Sequence, residues 1–167
     1  MNFAKDVVFY SWFTPDFLER ELCRLFELFF PHEVEPLNVR VVVASHGAKG
    51  EAAHAVFSAN MIVMYADYHR RHPEEYKLTL LHEMGHFRYS KDHSRFEEYF
   101  NFLTWKQKSI SEKIIPSNYE DFLYCTKPEK PVYTYACSGC GERLQSSDIE
   151  YCSCEECDKN MLLVGGL

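Results

Sequence analysis

Apolar side chains recur along this chain with two different periods. Leu18, Leu22, Leu25, Phe26 and Phe29 fall three and four positions apart, the spacing of one helical face. Thr14-Pro15-Asp16 supplies the start of that helix, with Thr14 as cap and Pro15 at the first helical position, and Pro31 stops it. Cys23 falls within it and is expected to be buried there. Val41-Val42-Val43, Ala53 to Phe57 and Met61 to Tyr65 then read as strands, the last two joined by a turn at Ser58-Ala59-Asn60. Helical spacing returns over residues 73–88. Pro73, Glu74 and Glu75 suit its first turn, and Leu80, Leu81, Met84 and Phe87 form an apolar stripe. Phe96, Tyr99, Phe100 and Leu103 mark another amphipathic helix. Pro116, Pro128 and Pro131 make 116–131 a connector. Beyond it Tyr133-Thr134-Tyr135, Tyr151 and Leu162-Leu163-Val164 read as short strands. The pattern predicts an α+β chain, with helices packed on a small sheet over 1–115, a connector, and a small β unit over 132–167.

The helix over 73–88 carries His82-Glu83-Met84-Gly85-His86, of the form H-E-x-x-H. Residues four apart share a helical face, so the two imidazoles can chelate one zinc ion. Glu83 is turned about 100° away and is left to act on water as a general base. Chance would place only about 0.04 such matches in a chain of this composition. Catalytic zinc usually takes three protein ligands and keeps one position open. His93 is the favoured third ligand, being of the right type and seven residues beyond His86; Glu97 and Glu98 are rivals. Asp92 or Glu97 would then accept an imidazole N–H from behind. Tyr89 is a conceivable donor to the oxyanion. The strand at 53–57 or that at 61–65 would pair with an extended substrate if it lay at the sheet edge. His32, His46, His54, His69 and His72 are expected at the surface or partly buried.

A second metal signature lies near the C-terminus. Cys137-Ser138-Gly139-Cys140 and Cys154-Glu155-Glu156-Cys157 are two C-x-x-C pairs, the pattern of a Cys₄ structural zinc site. Cys152 is an alternative to Cys154, and Cys125 and Cys152 are otherwise free thiols. Gly141 suits the turn after the first pair. A unit this small cannot bury enough apolar surface to fold alone, so the metal would carry its stability. The seven cysteines are an odd number, and Met1-Asn2-Phe3-Ala4-Lys5-Asp6 lacks the features of a secretory signal. Reduced thiols and a cytoplasmic setting are therefore expected. No apolar run reaches the ~18 residues needed to span a membrane.

The order of parts resembles the SprT-like family, which includes Spartan-type DNA–protein crosslink proteases. The resemblance covers most of the chain. It rests on the leading helix, the small sheet, Leu80-Leu81-His82-Glu83-Met84-Gly85-His86, Asp92-His93, and Tyr135-Ala136-Cys137-Ser138-Gly139-Cys140-Gly141. It implies a zincin-like metalloprotease domain followed by a zinc ribbon. His82, His86 and His93 would hold catalytic zinc, and Glu83 would be the base. It also implies a protein substrate, with single-stranded DNA as a stimulating partner. Two departures are visible: the spacer between the second and third histidines is short, and Ser94 rather than Gly follows His93. The net charge of -7 is also unlike a nucleic-acid binder. Only 69–113 is locally basic, through Arg70, Arg71, Arg88, Lys91, Arg95, Lys106 and Lys108, with Trp105 available to stack on a base. An ImmA/IrrE-like regulatory peptidase, with Glu97 or Glu98 as ligand, and a non-catalytic zinc-ribbon binding module are the alternatives.

Overall fold

The structure is a computed structural model that describes residues 3–33, 38–48, 50–89, 92–124, 133–141, 143–146 and 161–166. The chain divides into two units, Met1–His46 with Ala52–Lys127, and Gly47–Glu51 with Pro128–Leu167. Both are small sheets by topology, and the first also carries every helix among the described residues.

In the first unit, helix α1 (Phe3–Trp12) leads into α2 (Pro15–Phe29). Thr14 caps α2 as expected, its hydroxyl oxygen accepting from the Phe17 N–H at 3.3 Å. The face of α2 that is buried is Leu18, Leu22, Leu25, Phe26 and Phe29, the set the spacing marks out. Cys23 is exposed, contrary to expectation, because it stands one position past Leu22 and off that face. Helix α1 has no counterpart in the sequence reading. Its apolar side chains point both ways, Phe9 into the core and Val7, Val8 and Tyr10 to the surface, which blurs any period.

Strands β1 (Arg40–Ala44), β2 (Ala53–Val56) and β3 (Met61–Tyr65) form one sheet in the order β1-β3-β2. β3 is central, parallel to β1 and antiparallel to β2. Phe57 leaves the expected strand and enters a 3₁₀ turn, Phe57–Ala59, which Asn60 closes in the left-handed region at φ 47°. Ile62 and Met64 of β3 are fully buried in the core. Short helix α3 (Ala66–Arg71) and a 3₁₀ turn, Pro73–Glu75, precede α4 (Tyr76–Arg88). α4 packs on α2 and β2. Helix α5 (Phe96–Gln107) buries Phe96, Tyr99, Phe100 and Leu103, again the expected face. The stretch read as connector holds α6 (Tyr119–Tyr124), whose Phe122 is fully buried. At six residues, α3 and α6 are too short to show a period. Among the described residues no helix is long and apolar enough to cross a membrane.

The second unit is a three-stranded antiparallel sheet with β4 (Tyr133–Cys137) between β5 (Arg143–Ser146) and β6 (Met161–Gly166). β4 and β6 fall where strands are expected; β5 is additional, and Tyr151 lies outside the described residues.

His69 departs from its expected surface position. It is fully buried in the last turn of α3, its ring 5.2 Å from that of Phe13, and among the described residues its ring nitrogens make no hydrogen bond of good geometry, though the His72 and Ala52 backbones lie near. Burial lowers its pKa from 6.5 to about 4. Below pH 6.5 the unfolded chain takes up a proton that the folded chain refuses, so stability falls with pH down to about 4, where the folded ring also protonates. The full loss is on the order of 3 kcal/mol. We expect His69→Phe to flatten the dependence of denaturant-unfolding stability on pH between 7 and 5. A slope identical to that of the unsubstituted protein would contradict this.

Candidate metal centre

Helix α4 is buried not along one stripe but on all sides, every residue from Leu78 to Gly85 being out of solvent. That places two ionisable side chains in the interior, His82 at 1% and Glu83 at 3% exposure. Groups of this kind are costly to bury unless something pairs with them. One turn on, His86 has its ring centroid 5.0 Å from that of His82. His93 arrives from outside the helix, at the head of a 3₁₀ turn, His93–Arg95. Asp92 caps that turn, its carboxylate accepting the Ser94 N–H at 3.0 Å. His93 Nε2 reaches within 3.1 Å of His82 Nε2, and its ring lies 4.9 Å from that of His86.

The ligand nitrogens of His82, His86 and His93 all lie within 4.8 Å of one another, so the group can hold a metal ion. The donor set suits one. Metal–nitrogen bonds of 2.0–2.1 Å in a tetrahedron put ligand nitrogens about 3.3 Å apart, close to the His82–His93 separation. Burial first, and then the charges of His86 and His93, push the His82 imidazole well below its usual pKa. It is thereby held neutral, the form that ligates metals. His82 Nδ1 is buried with no hydrogen-bond partner among the described residues, so neither Asp92 nor Glu97 accepts from this ring. Glu97 and Glu98, the rival ligands, lie exposed on α5, with Glu98 3.7 Å from Arg95. They are not part of the group.

Aromatic rings floor the site. The Phe96 centroid is 4.7 Å from His82, 4.6 Å from His86 and 5.2 Å from His93, and Phe122 is 5.7 Å from His82. Phe96 is legible in the sequence only as part of an amphipathic face. Phe122 belongs to a Tyr119, Phe122, Leu123 spacing that could have betrayed α6. Gly85 carries another constraint. A β-carbon there would stand 2.4 Å from Tyr99 Cε1 and 3.1 Å from Phe96 Cε1. Tyr99 cannot yield easily, since it is fully buried and its hydroxyl donates to the Leu81 carbonyl at 2.8 Å.

His54 lies outside the triad, on β2, with Nδ1 2.6 Å from the Tyr65 hydroxyl. Tyr89 follows α4 as its C-cap and packs on Tyr99 with centroids 4.8 Å apart. A second group, His72, Glu74 and Glu75, also draws its ligand atoms together. Glu75 there already accepts from the Tyr68 hydroxyl at 2.6 Å.

In the second unit Cys137 is buried and Cys140 exposed. The Gly139 N–H donates to Cys137 Sγ at 3.3 Å, and the Gly141 N–H to the Cys137 carbonyl at 3.0 Å. Gly141 takes φ 77°, which only glycine adopts freely. Cys125, Cys152, Cys154 and Cys157 lie outside the described residues.

Of the basic residues at 69–113, Arg70 bonds to Asp6 at 3.1 Å. Arg88 pairs with Glu33 and covers the Phe26 and Phe30 rings. Trp105 is 64% exposed, with the Lys106 ammonium 5.6 Å from its ring. Lys91 lies outside the described residues.

Comparison of the chain with protein-family models, curated proteins and solved structures finds no match.

Gly85→Ala tests the helix contact beneath the site. Overpacking costs about 1–3 kcal/mol, and the better helix propensity of Ala returns about 1 kcal/mol. We expect a net loss, read as a lower thermal midpoint of the metal-free protein. A midpoint at or above that of the unsubstituted chain would show that Tyr99 yields freely.

Proposed function

We propose that this chain is a zinc-dependent endopeptidase, with a zincin-like domain resembling the SprT-like family and a C-terminal zinc ribbon. The observation that carries the reading is the convergence of His82, His86 and His93 on one point beside the buried Glu83. A surface helix with an accidental histidine pair would gain nothing by burying both an imidazole and a carboxylate in the core.

A zinc ion held by the three imidazoles would supply Lewis acidity, making water nucleophilic near neutral pH and polarising the scissile carbonyl. Glu83 takes the water proton on a carboxylate oxygen and delivers it to the leaving amine nitrogen. Phe96 and Phe122 exclude bulk water from beneath the imidazoles, which strengthens electrostatic interactions above them. β2 is an edge strand and packs against α4, whereas β3 is central. β2 is therefore the strand that would pair with an extended substrate backbone. The tight turn around Cys137, Gly139 and Gly141 supports the ribbon, for which Cys137, Cys140, Cys154 and Cys157 are the proposed ligands. Single-stranded DNA enters this proposal through the resemblance alone, since Arg70 and Arg88 are engaged by Asp6 and Glu33.

The test is metal content and proteolysis measured together. The full chain should hold two zinc ions, and His93→Ala about one, because the ribbon site is independent. Glu83→Gln should retain both ions and lose about 10²-fold or more in cleavage of an unfolded protein. Wild-type rates in Glu83→Gln would remove Glu83 from the mechanism. Two bound zinc ions with no cleavage under any condition, DNA included, would favour a binding module.

A further inference from the structure

Two of the three imidazoles need no special support. His82 and His86 stand on a helix whose backbone ladder and all-round burial hold them one turn apart. His93 has no such frame. It begins a three-residue 3₁₀ turn, an element too short to be stable by itself. Its ring must nonetheless stay within about an ångström of one position if it is to complete a tetrahedral site.

The fold supplies a fixing point from an unexpected quarter. The hydroxyl of Tyr119, at the start of α6, donates to the His93 carbonyl at 3.0 Å. The same carbonyl accepts the Phe96 N–H that closes the turn, so both of its lone pairs are used. Tyr119 is itself anchored. Its ring meets Phe100 edge-on at 5.8 Å, and three residues further along α6 Phe122 is fully buried, 6.4 Å from Phe96 and 5.5 Å from Phe100. The Asn118 side chain caps the helix start by accepting the Asp121 N–H at 2.7 Å. A hydrogen bond thus runs from a core-anchored helix to the backbone of the one ligand that regular structure leaves loose.

We infer that Tyr119 is the positioning residue of the third ligand, setting metal affinity by holding the His93 backbone. This rests on the metal reading above and adds to it a residue 26 positions from His93 in sequence. The Glu97 backbone also lies beside the Tyr119 hydroxyl, so an effect through His93 is told from a general loosening of α6 on α5 by removing His93.

The experiment is a double-mutant cycle on the full chain, reading zinc affinity by competition with a chelator and, separately, the thermal midpoint of the metal-free protein. Tyr119→Phe keeps the ring and removes only the hydroxyl. Loss of an outer partner of a ligand costs 10–100-fold in metal affinity, and we expect about tenfold here. In the His93→Ala background the same substitution should leave the residual affinity of the His82–His86 pair unchanged. Tyr119→Leu, which removes the ring as well, should weaken binding at least as much as Tyr119→Phe.

Equal affinity in Tyr119→Phe and the unsubstituted chain would overturn the inference while leaving the metal site intact. So would a tenfold loss that persists without His93, since that marks general loosening of the fold. If His93→Ala does not weaken binding at all, the metal reading itself fails and takes this inference with it.

Discussion

The close approach of α5 to α4 at Gly85 is the contact on which the rest of the structure depends. With no β-carbon in the way, Tyr99 and Phe96 lie directly on the backbone of α4. Tyr99 then reaches past the glycine to bond the Leu81 carbonyl, one residue before His82. Phe96 comes to lie under all three imidazoles. A wider spacing of the two helices would drain the apolar floor from the site. It would also move the 3₁₀ turn that hands His93 to the group, because that turn runs straight into α5.

The same contact explains why the polar residues of α4 can be buried. A helix covered on every side by apolar neighbours would normally expel a histidine and a glutamate. Here three imidazoles share one small volume, and burial holds His82 in its neutral form. His82 Nε2 lies 3.1 Å from His93 Nε2, and three ligand nitrogens within 4.8 Å of one another could share a metal ion. The cost of burying His82 goes with drawing together a group that could hold a metal ion.

How legible was this in the sequence? The apolar faces of α2 and α5 could be read residue by residue, because each is long enough for its period to show against one core. The pair at 82 and 86 was legible because helical spacing alone sets it. What escaped was whatever depends on tertiary packing. α1 is apolar on two sides, and α3 and α6 are a turn and a half each. Cys23 and His69 fell on the wrong side of expectation, the first because one position along a helix changes its face, the second because a lone histidine carries no pattern. Gly85 could be seen as a residue of the motif, but not as the seat of a ring from another helix. The choice of β2 over β3 as edge strand needed the strand order, since the two read alike as runs of apolar residues.

A division of labour between the two ends of the first unit follows. Arg24 on α2 and Lys77 on α4 both bind Glu112, at 2.9 and 2.5 Å, and together hold its carboxyl down to about 2. Exposed pairs of this kind are worth only about 0–1 kcal/mol each, so their importance is positional. Glu112 lies in the segment between α5 and α6, and fastening it to two helices shortens the effective length of chain free to move before Tyr119. Closing a shorter loop costs less entropy. The short spacer after His86 brings His93 near the helix pair, and the fastened segment leads into α6, whose Tyr119 hydroxyl reaches the His93 carbonyl. The third corner of the site is thus held by residues on both sides of α5, neither of which has any local reason to be there.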